Sequence, residues 1–112
     1  MKIYHNPRCA KSRQTLALIK ETGAEVEIIE YLKTVPSAKE LKELLQKLGM
    51  TAEQLLRKGE AVYREEYKGK SLTEDQWINA MILHPKLIER PIVVKGVKAV
   101  LGRPPENVNS LL

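Results

Sequence analysis

The chain has 112 residues, of which 43% are hydrophobic and 29% are charged, and its formal net charge is +5. This length corresponds to one domain, and the composition is typical of a folded globular protein rather than a disordered one. No apolar run approaches the ~20 residues of a membrane-spanning helix, and the polar N-terminal segment is unlike a secretory signal. We therefore expect a cytoplasmic protein with no membrane partner.

Basic residues alternate with glutamates, as in residues 39–43, and aromatic residues make up only 4% of the sequence. This pattern is typical of solvated helix faces, so nucleic acid is not an expected partner. Cys9 is the only cysteine, which excludes an internal disulfide and a thiolate-rich zinc site, so we expect no metal. If Cys9 carries out redox chemistry, its partner thiol must belong to another molecule.

The N-terminal segment predicts a strand, a helix and a second strand. Residues 2–4 form a short strand candidate, a helix follows over about residues 10–21, and Gly23 stands where a helix ends in left-handed backbone. Residues 25–31 alternate in polarity and predict the second strand. Two strands joined by one helix should be parallel, with a right-handed crossover.

The middle of the chain is predicted to be helical. Capping-box sequences begin at Ser37, Thr51 and Thr73, each followed by leucines or other apolar residues at helical spacing. Pro85 stops the last of these helices. Residues 59–71 are polar and predict a loop.

The C-terminal segment predicts an antiparallel hairpin and a short helix. Residues 91–94 and 98–101 are strand candidates around a Lys-Gly turn, and the final helix begins near Pro104. The element order is therefore βαβ, helices, ββ and α. It indicates an α/β fold with a small mixed sheet of four strands.

Cys9 lies where the first strand gives way to the first helix. Backbone N–H groups and the helix dipole stabilise an anion at that position, and Arg8, Lys11 and Arg13 add positive charge. His5 could face the sulfur across the turn. These neighbours favour a reactive thiolate, whereas the alternative, a structural cysteine, usually has apolar neighbours.

Two familiar cysteine motifs are absent. A C-x-x-C pair would need a second cysteine where Ser12 stands, and a phosphatase-type C-x5-R loop would need arginine where Thr15 stands. Residues 5–16, HNPRCAKSRQTL, instead resemble the signature of the glutaredoxin-dependent arsenate reductases of the ArsC type. The resemblance covers nearly the whole chain with the same order and spacing, through residues 31–32, 55–58, 84–85, 87–94 and 102–104.

The resemblance implies a thioredoxin-like fold with a helical insertion after the second strand. We therefore expect a single domain over residues 1–112 with the insertion at about residues 37–84, and a monomeric protein. By the same resemblance, Cys9 is the nucleophile that bonds to arsenic, His5 helps to activate the thiol, and Ser12 lies near the thiolate. Glutathione is then a co-substrate and glutaredoxin a protein partner, with no bound cofactor.

Three arginines match the oxyanion-binding arginines of the family, namely Arg57, Arg90 and Arg103. Planar guanidinium groups suit this role, because they stay charged and bind an oxyanion such as arsenate through two parallel hydrogen bonds. Pro91 matches the cis-proline that faces the active cysteine in thioredoxin-like folds. Arg64 matches nothing in the family and is expected to be an ordinary surface residue.

Two alternatives to an arsenate reductase remain open. One is a glutathione-dependent thiol–disulfide oxidoreductase that uses the same Cys9 thiol on a mixed disulfide. The other is an Spx-like transcriptional regulator that binds RNA polymerase. Such regulators typically carry a C-x-x-C switch, which Ser12 removes here, and they need no oxyanion site.

Overall fold

A four-stranded sheet forms the centre of the first of two compact units in the structure, a computed structural model that describes residues 1–112. Its strands are β1 (Lys2–His5), β2 (Glu27–Glu30), β3 (Ile92–Lys95) and β4 (Lys98–Leu101), in the order β2-β1-β3-β4. β1 pairs in parallel with β2 and antiparallel with β3, and β3 pairs antiparallel with β4. The predicted α/β fold with a mixed sheet of four strands is confirmed.

The second strand is shorter than the alternation in the sequence predicts. β2 pairs only with β1, from Lys2 opposite Glu27 to His5 opposite Glu30, and it lies at the edge of the sheet. Because a strand at the edge has one neighbour, its length is limited to the length of that neighbour. Within this edge strand, Ile28 is 43% exposed.

One helix and one 3-10 helix complete the first unit, which comprises residues 1–34 and 90–112. α1 (Ala10–Glu21) has the bounds that the sequence predicts, and it packs against the 3-10 helix Pro105–Leu111. The buried core contains Ile3, Ile19, Val93, Val108 and Leu111. The C-terminal helix is thus confirmed in place but not in type, since short terminal segments often adopt the tighter 3-10 geometry.

The second unit comprises residues 35–89 and is helical. It contains α2 (Ala38–Leu48), α3 (Ala52–Leu55) and α4 (Glu74–Leu83), and α4 packs against both α2 and α3. The expected insertion of residues 37–84 falls within this unit, and the assignment of the whole chain to one domain stays a prediction. None of the helices is long and apolar enough to span a membrane.

Three hydroxyl side chains cap these helices as the sequence predicts. Ser37, Thr51 and Thr73 each accept a hydrogen bond from the backbone N–H three residues later. At Thr51 and Thr73 the reciprocal glutamine bond is also present, so both are complete capping boxes. Such caps typically stabilise a helix by ~1 kcal/mol each.

The predicted loop over residues 59–71 is wrong at its centre, where Tyr63–Tyr67 forms a π-helical turn. Lys68 donates its backbone N–H to the carbonyl of Tyr63 at 2.8 Å. The rings of Tyr63 and Tyr67 lie 6.4 and 5.9 Å from the ring of Trp77. This aromatic packing involves Trp77 of the following helix, and the polarity of residues 59–71 does not reveal it.

Candidate active site

Cys9 occupies the N-cap of α1, as its sequence position predicts. The turn that leads to it is closed by a hydrogen bond from Cys9 N–H to Asn6 O at 3.0 Å, and the helix begins with the bond from Arg13 N–H to Cys9 O at 3.0 Å. The side chain of Asn6 also accepts the N–H of Arg8 at 3.0 Å. The sulfur therefore stands at the positive end of the helix dipole, and the residue is only 8% exposed.

His5 and Ser12 form a buried hydrogen-bonded pair beside this turn. His5 Nδ1 lies 2.6 Å from Ser12 Oγ, which also accepts the backbone N–H of Asn6 at 3.1 Å. The pair joins the last residue of β1 to the first turn of α1. The structure thus brings two of the predicted catalytic residues together, while their action on Cys9 stays a prediction.

The environment of His5 lowers its pKa below the usual value of 6.5. Burial is the main cause, because it disfavours the charged imidazolium; the carboxylate of Glu30 opposes the shift, and Arg13 and Lys20 add to it. His5 is therefore neutral near pH 7. A neutral imidazole has one donor and one acceptor nitrogen, which suits a hydrogen bond to a hydroxyl such as Ser12.

Arg103 is the predicted oxyanion ligand that contacts the cysteine. Its Nη1 lies 3.8 Å from Cys9 Sγ, within the range of an N–H···S hydrogen bond. The guanidinium group therefore places a permanent positive charge and a forked set of donors at the sulfur. The contact joins residues at the start of α1 and just beyond β4.

Pro91 and Arg90 lie in the same unit as Cys9. The Arg90–Pro91 peptide bond is cis, as the resemblance implies, and the Arg103–Pro104 bond, for which the sequence made no such prediction, is also cis. Arg90 is partly buried. Its contribution to an oxyanion site stays a prediction.

Arg57 belongs to the second unit and is flanked by two carboxylates. Its Nη1 lies 3.5 Å from a carboxylate oxygen of Glu60, and its Nε lies 3.5 Å from one of Glu89. The backbone N–H of Arg57 donates to Leu87 O at 2.8 Å, which fixes the start of this segment. No sequence pattern predicts these carboxylate neighbours, and the role of Arg57 at Cys9 stays a prediction.

Two residues that the sequence analysis did not select, Thr15 and Gly102, connect α1 to the segment that carries Arg103. Thr15 Oγ1 donates to the carbonyl of Gly102 at 3.1 Å. No local motif marks this pair, since its members are far apart in the sequence. Arg64 is exposed, as expected for a surface residue.

Metal-binding geometry is absent from the chain. No group of three or more histidine, cysteine, aspartate or glutamate side chains is arranged to hold a metal ion. At Cys9 the structure places a sulfur atom next to a helix N-terminus and a guanidinium group.

Comparison with known proteins identifies the family of this chain. The model of the ArsC family matches residues 4–111. Escherichia coli K12 protein YfgD, described as uncharacterized, is 53% identical over 110 residues, which is 96% of this chain and 92% of that protein. An arsenate reductase of Neisseria meningitidis serogroup B is 42% identical over 114 residues, covering 100% of this chain and 97% of that protein.

A solved structure resembles the whole chain. The arsenate reductase from Vibrio cholerae is 49% identical and superimposes with a TM-score of 0.95, covering 100% of this chain and 98% of that one. Its similarity extends to the thioredoxin-like sheet and to the helices of residues 35–89. This chain therefore belongs to the ArsC family.

Proposed function

We propose that this protein is an arsenate reductase in which Cys9 is the nucleophile. The observation that carries the proposal is the 3.8 Å contact between Arg103 Nη1 and Cys9 Sγ. An oxyanion bound at this guanidinium group has its central atom close to the sulfur. The arsenate reductases of two other bacteria, 42% and 49% identical to this chain, support arsenate as the oxyanion.

In the first step, the Cys9 thiolate attacks arsenic and forms a sulfur–arsenic bond. The hydroxyl group of arsenate takes up one proton from solvent and leaves as water, so that the new sulfur–arsenic bond replaces an oxygen–arsenic bond. Because a thiolate and arsenate are both anions, this attack needs positive charge around the reacting atoms. The first-turn N–H groups of α1 and the Arg103 guanidinium provide it, and we propose that Arg57 and Arg90 add to it.

In the second step, a glutathione thiolate attacks Cys9 Sγ. The sulfur–arsenic bond breaks and its electron pair stays on arsenic, which is thereby reduced from the pentavalent to the trivalent state and leaves as arsenite. A disulfide forms between Cys9 and glutathione. In the third step, a thiolate of glutaredoxin attacks the glutathione sulfur and releases Cys9 as a thiolate.

An external reductant is consistent with the covalent chemistry of the chain. Cys9 is the only cysteine, so no second thiol of the same molecule can resolve the arsenic adduct or the mixed disulfide. We therefore propose glutathione as co-substrate and glutaredoxin as partner of a monomeric enzyme without a bound cofactor. The cytoplasm suits this chemistry, because it keeps such thiols reduced.

The experiment that tests this proposal is an NADPH-coupled assay with arsenate, glutathione, glutathione reductase and glutaredoxin. We expect arsenate-dependent NADPH consumption by the parent protein and none by a folded Cys9→Ser variant, since a hydroxyl is a far poorer nucleophile near neutral pH. Turnover by the folded variant would contradict the role of Cys9. Absence of arsenate-dependent NADPH consumption by the parent protein would contradict arsenate as the substrate.

The same assay separates the alternatives. A glutathione-dependent oxidoreductase would consume NADPH with a glutathionylated peptide but not with arsenate. An Spx-like regulator would turn over neither substrate and would bind RNA polymerase in a pull-down with purified polymerase. Each outcome would replace the proposed substrate without changing the fold.

A further inference from the structure

A cavity of about 210 Å³ lies beside the cysteine-bearing turn of the first unit. Residues from the turn after β1 and from the segment that ends β2 line it, among them His5, Pro7, Arg8, Glu30, Leu32 and Lys33. His5 and Glu30 are paired at the C-terminal ends of two parallel strands. Small ligands of α/β folds bind in crevices at this end of the strands.

The wall of the cavity combines two cations, one anion and a small apolar surface. Arg8 is exposed, and the Lys33 side chain is 78% exposed with its ammonium 3.6 Å from Glu30 Oε1. The Glu30 side chain is 42% exposed, so its carboxylate can be reached from solvent. Leu32 and Pro7 add exposed apolar atoms. Such a wall is complementary to a small molecule with two carboxylates, one ammonium and a short apolar part.

The position of the cavity relative to the cysteine suits a second thiol. Arg8 immediately precedes Cys9, so the two Cα atoms are ~3.8 Å apart. A molecule of tripeptide size that is held by Arg8 therefore lies next to the cysteine-bearing turn. The chain itself has no thiol other than that of Cys9.

The cavity and Arg103 approach Cys9 from different edges of the sheet. β2 forms one edge and β4, which Arg103 follows, forms the other, with β1 and β3 between them. Attack on a divalent sulfur requires the incoming thiolate, the sulfur and the leaving atom to lie in a line. A thiol from the β2 side and arsenic on the Arg103 side approach the sulfur from different sides, which this requirement favours.

We propose that this cavity binds the reducing thiol substrate, a small zwitterionic peptide thiol of the glutathione type. Arg8 and Lys33 hold its two carboxylates, and Glu30 holds its ammonium. The inference rests on the proposed function for the use of this thiol as reductant. The bound thiolate attacks Cys9 Sγ, the new disulfide takes the place of the sulfur–arsenic bond, and the bonding electron pair leaves with arsenic.

Binding can be measured without any reaction by using S-methylglutathione, which keeps both carboxylates and the ammonium. In an NMR titration of the parent protein, we expect amide shifts concentrated at Arg8 and at residues 30–33. Arg8→Ala and Lys33→Ala should each weaken binding about two- to fivefold, as expected for exposed ion pairs. Lys98→Ala, which removes an exposed lysine at the β3–β4 turn, is the matched control and should leave binding unchanged.

The contribution of Glu30 is tested by removing either its own negative charge or the positive charge of the ligand's ammonium. Glu30→Gln should weaken the binding of S-methylglutathione about two- to fivefold. It should have no such effect on the N-acetylated ligand, which lacks the ammonium. Equal weakening of both ligands would overturn the assignment of Glu30.

A kinetic readout that needs no arsenate separates this inference from the proposed function. Cys9 is first converted to its mixed disulfide with thionitrobenzoate, and release of the coloured thiol is followed on addition of glutathione or 2-mercaptoethanol. We expect the rate of release to reach a maximum as the glutathione concentration rises, and to show no such saturation with 2-mercaptoethanol. In the Arg8→Ala/Lys33→Ala double variant, the saturation with glutathione should be lost. If this result holds but arsenate is not reduced, only the proposed function fails.

Three results would overturn the inference while leaving the arsenate assay intact. They are the absence of S-methylglutathione binding, amide shifts confined to a region away from the cavity, and binding that neither cation substitution weakens. Saturation that persists in the double variant would have the same meaning, because it would show that glutathione is held elsewhere.

Discussion

The hydroxyl of Thr15, on α1, donates to the carbonyl oxygen of Gly102 at 3.1 Å, across 87 positions of the sequence. The same hydroxyl lies 2.8 Å from the carbonyl of Lys11 in the preceding turn. Gly102 in turn donates its N–H to Pro91 O at 2.9 Å. These bonds fix the segment that carries Arg103 against the helix whose N-cap is the nucleophile, so Thr15 and Gly102 position the guanidinium group.

Replacing Gly102 by alanine should destabilise the protein. A Cβ at this position would lie 2.5 Å from Thr15 Oγ1 and 2.9 Å from Pro91 Cγ, so one of the neighbours must move. Overpacking of this kind typically costs ~1–3 kcal/mol of unfolding free energy. Gly59→Ala is the matched control, because nothing lies within 4 Å of its added Cβ. Urea unfolding of both variants checks this; equal effects would contradict the close approach.

The variant Thr15→Val should keep the shape of the buried side chain and lose the hydrogen bond to Gly102. We expect a loss of ~0.5–1.5 kcal/mol in unfolding free energy. Because the segment of Arg103 is then held less firmly, arsenate turnover should fall more than the rate of Cys9 alkylation by a neutral reagent. A parallel fall in both rates would show that Thr15 acts on the cysteine itself rather than on Arg103.

The variant Ser12→Ala should leave the buried Nδ1 of His5 without its hydroxyl partner, which lies at 2.6 Å in the parent protein. An unsatisfied buried polar group costs ~1–3 kcal/mol. Ser110→Ala is a suitable control, since Ser110 Oγ makes an exposed bond to Asn107 O at 3.0 Å. Chemical denaturation should show a large loss of unfolding free energy for Ser12→Ala and a small one for Ser110→Ala. The reverse order would contradict the buried pair.

The lowered pKa of His5 predicts a loss of stability in mild acid. The unfolded chain accepts a proton at about the usual value of 6.5, whereas the folded protein resists it because the imidazole is buried. The contribution of neutral His5 to the unfolding free energy is therefore complete above pH 6.5. It is lost as the pH falls from 6.5 through the lower pKa of His5 in the folded protein. In His5→Gln this part of the pH dependence should disappear.

The measurement compares urea unfolding of the parent and His5→Gln at pH ~7.5 and pH ~5.5. The other titratable groups are the same in both proteins, so the difference between the two pH dependences reports His5 together with its interaction with Glu30. An acid-induced loss that is the same in both proteins would contradict the lowered pKa of His5.

Much of the fold follows from local sequence patterns because its elements have local causes. The cap residues Ser37, Thr51 and Thr73 and the strand-to-helix position of Cys9 are each determined within a few residues, and all appear as predicted. The π-helical turn Tyr63–Tyr67 was missed, because it depends on rings that pack around Trp77.

In the candidate site, too, contacts between residues close in the sequence differ from contacts between distant residues in how well they could be predicted. The sequence placed His5 and Ser12 separately near Cys9 and did not predict that they bond to each other. The contact of Arg103 with Cys9 joins the two ends of the chain, and only the resemblance to a family pointed to it. The carboxylates of Glu60 and Glu89 beside Arg57 had no sequence signal, because surface charges are common and their pairing depends on the fold.

Arg103→Lys tests whether the shape of the guanidinium group matters as well as its charge. Lysine keeps the positive charge but loses the planar fork that can hold two oxygens of an oxyanion. Loss of one well-placed donor to a developing negative charge typically lowers the rate ~10²–10³-fold. We expect a loss of arsenate turnover approaching this range with little change in unfolding free energy. Full activity with lysine would mean that charge alone is sufficient.

The central claim is that Cys9 shares its site with an oxyanion held by arginines. The most direct measurement is the rate of Cys9 alkylation by iodoacetamide, a neutral reagent, as a function of sulfate concentration. It compares the parent protein with Arg57→Ala, Arg90→Ala and Arg103→Ala, and with Arg64→Ala as the surface control. We predict that sulfate protects the parent and the control, and protects the other three variants less. Protection of none of the proteins, or equal protection of all five, would contradict the account.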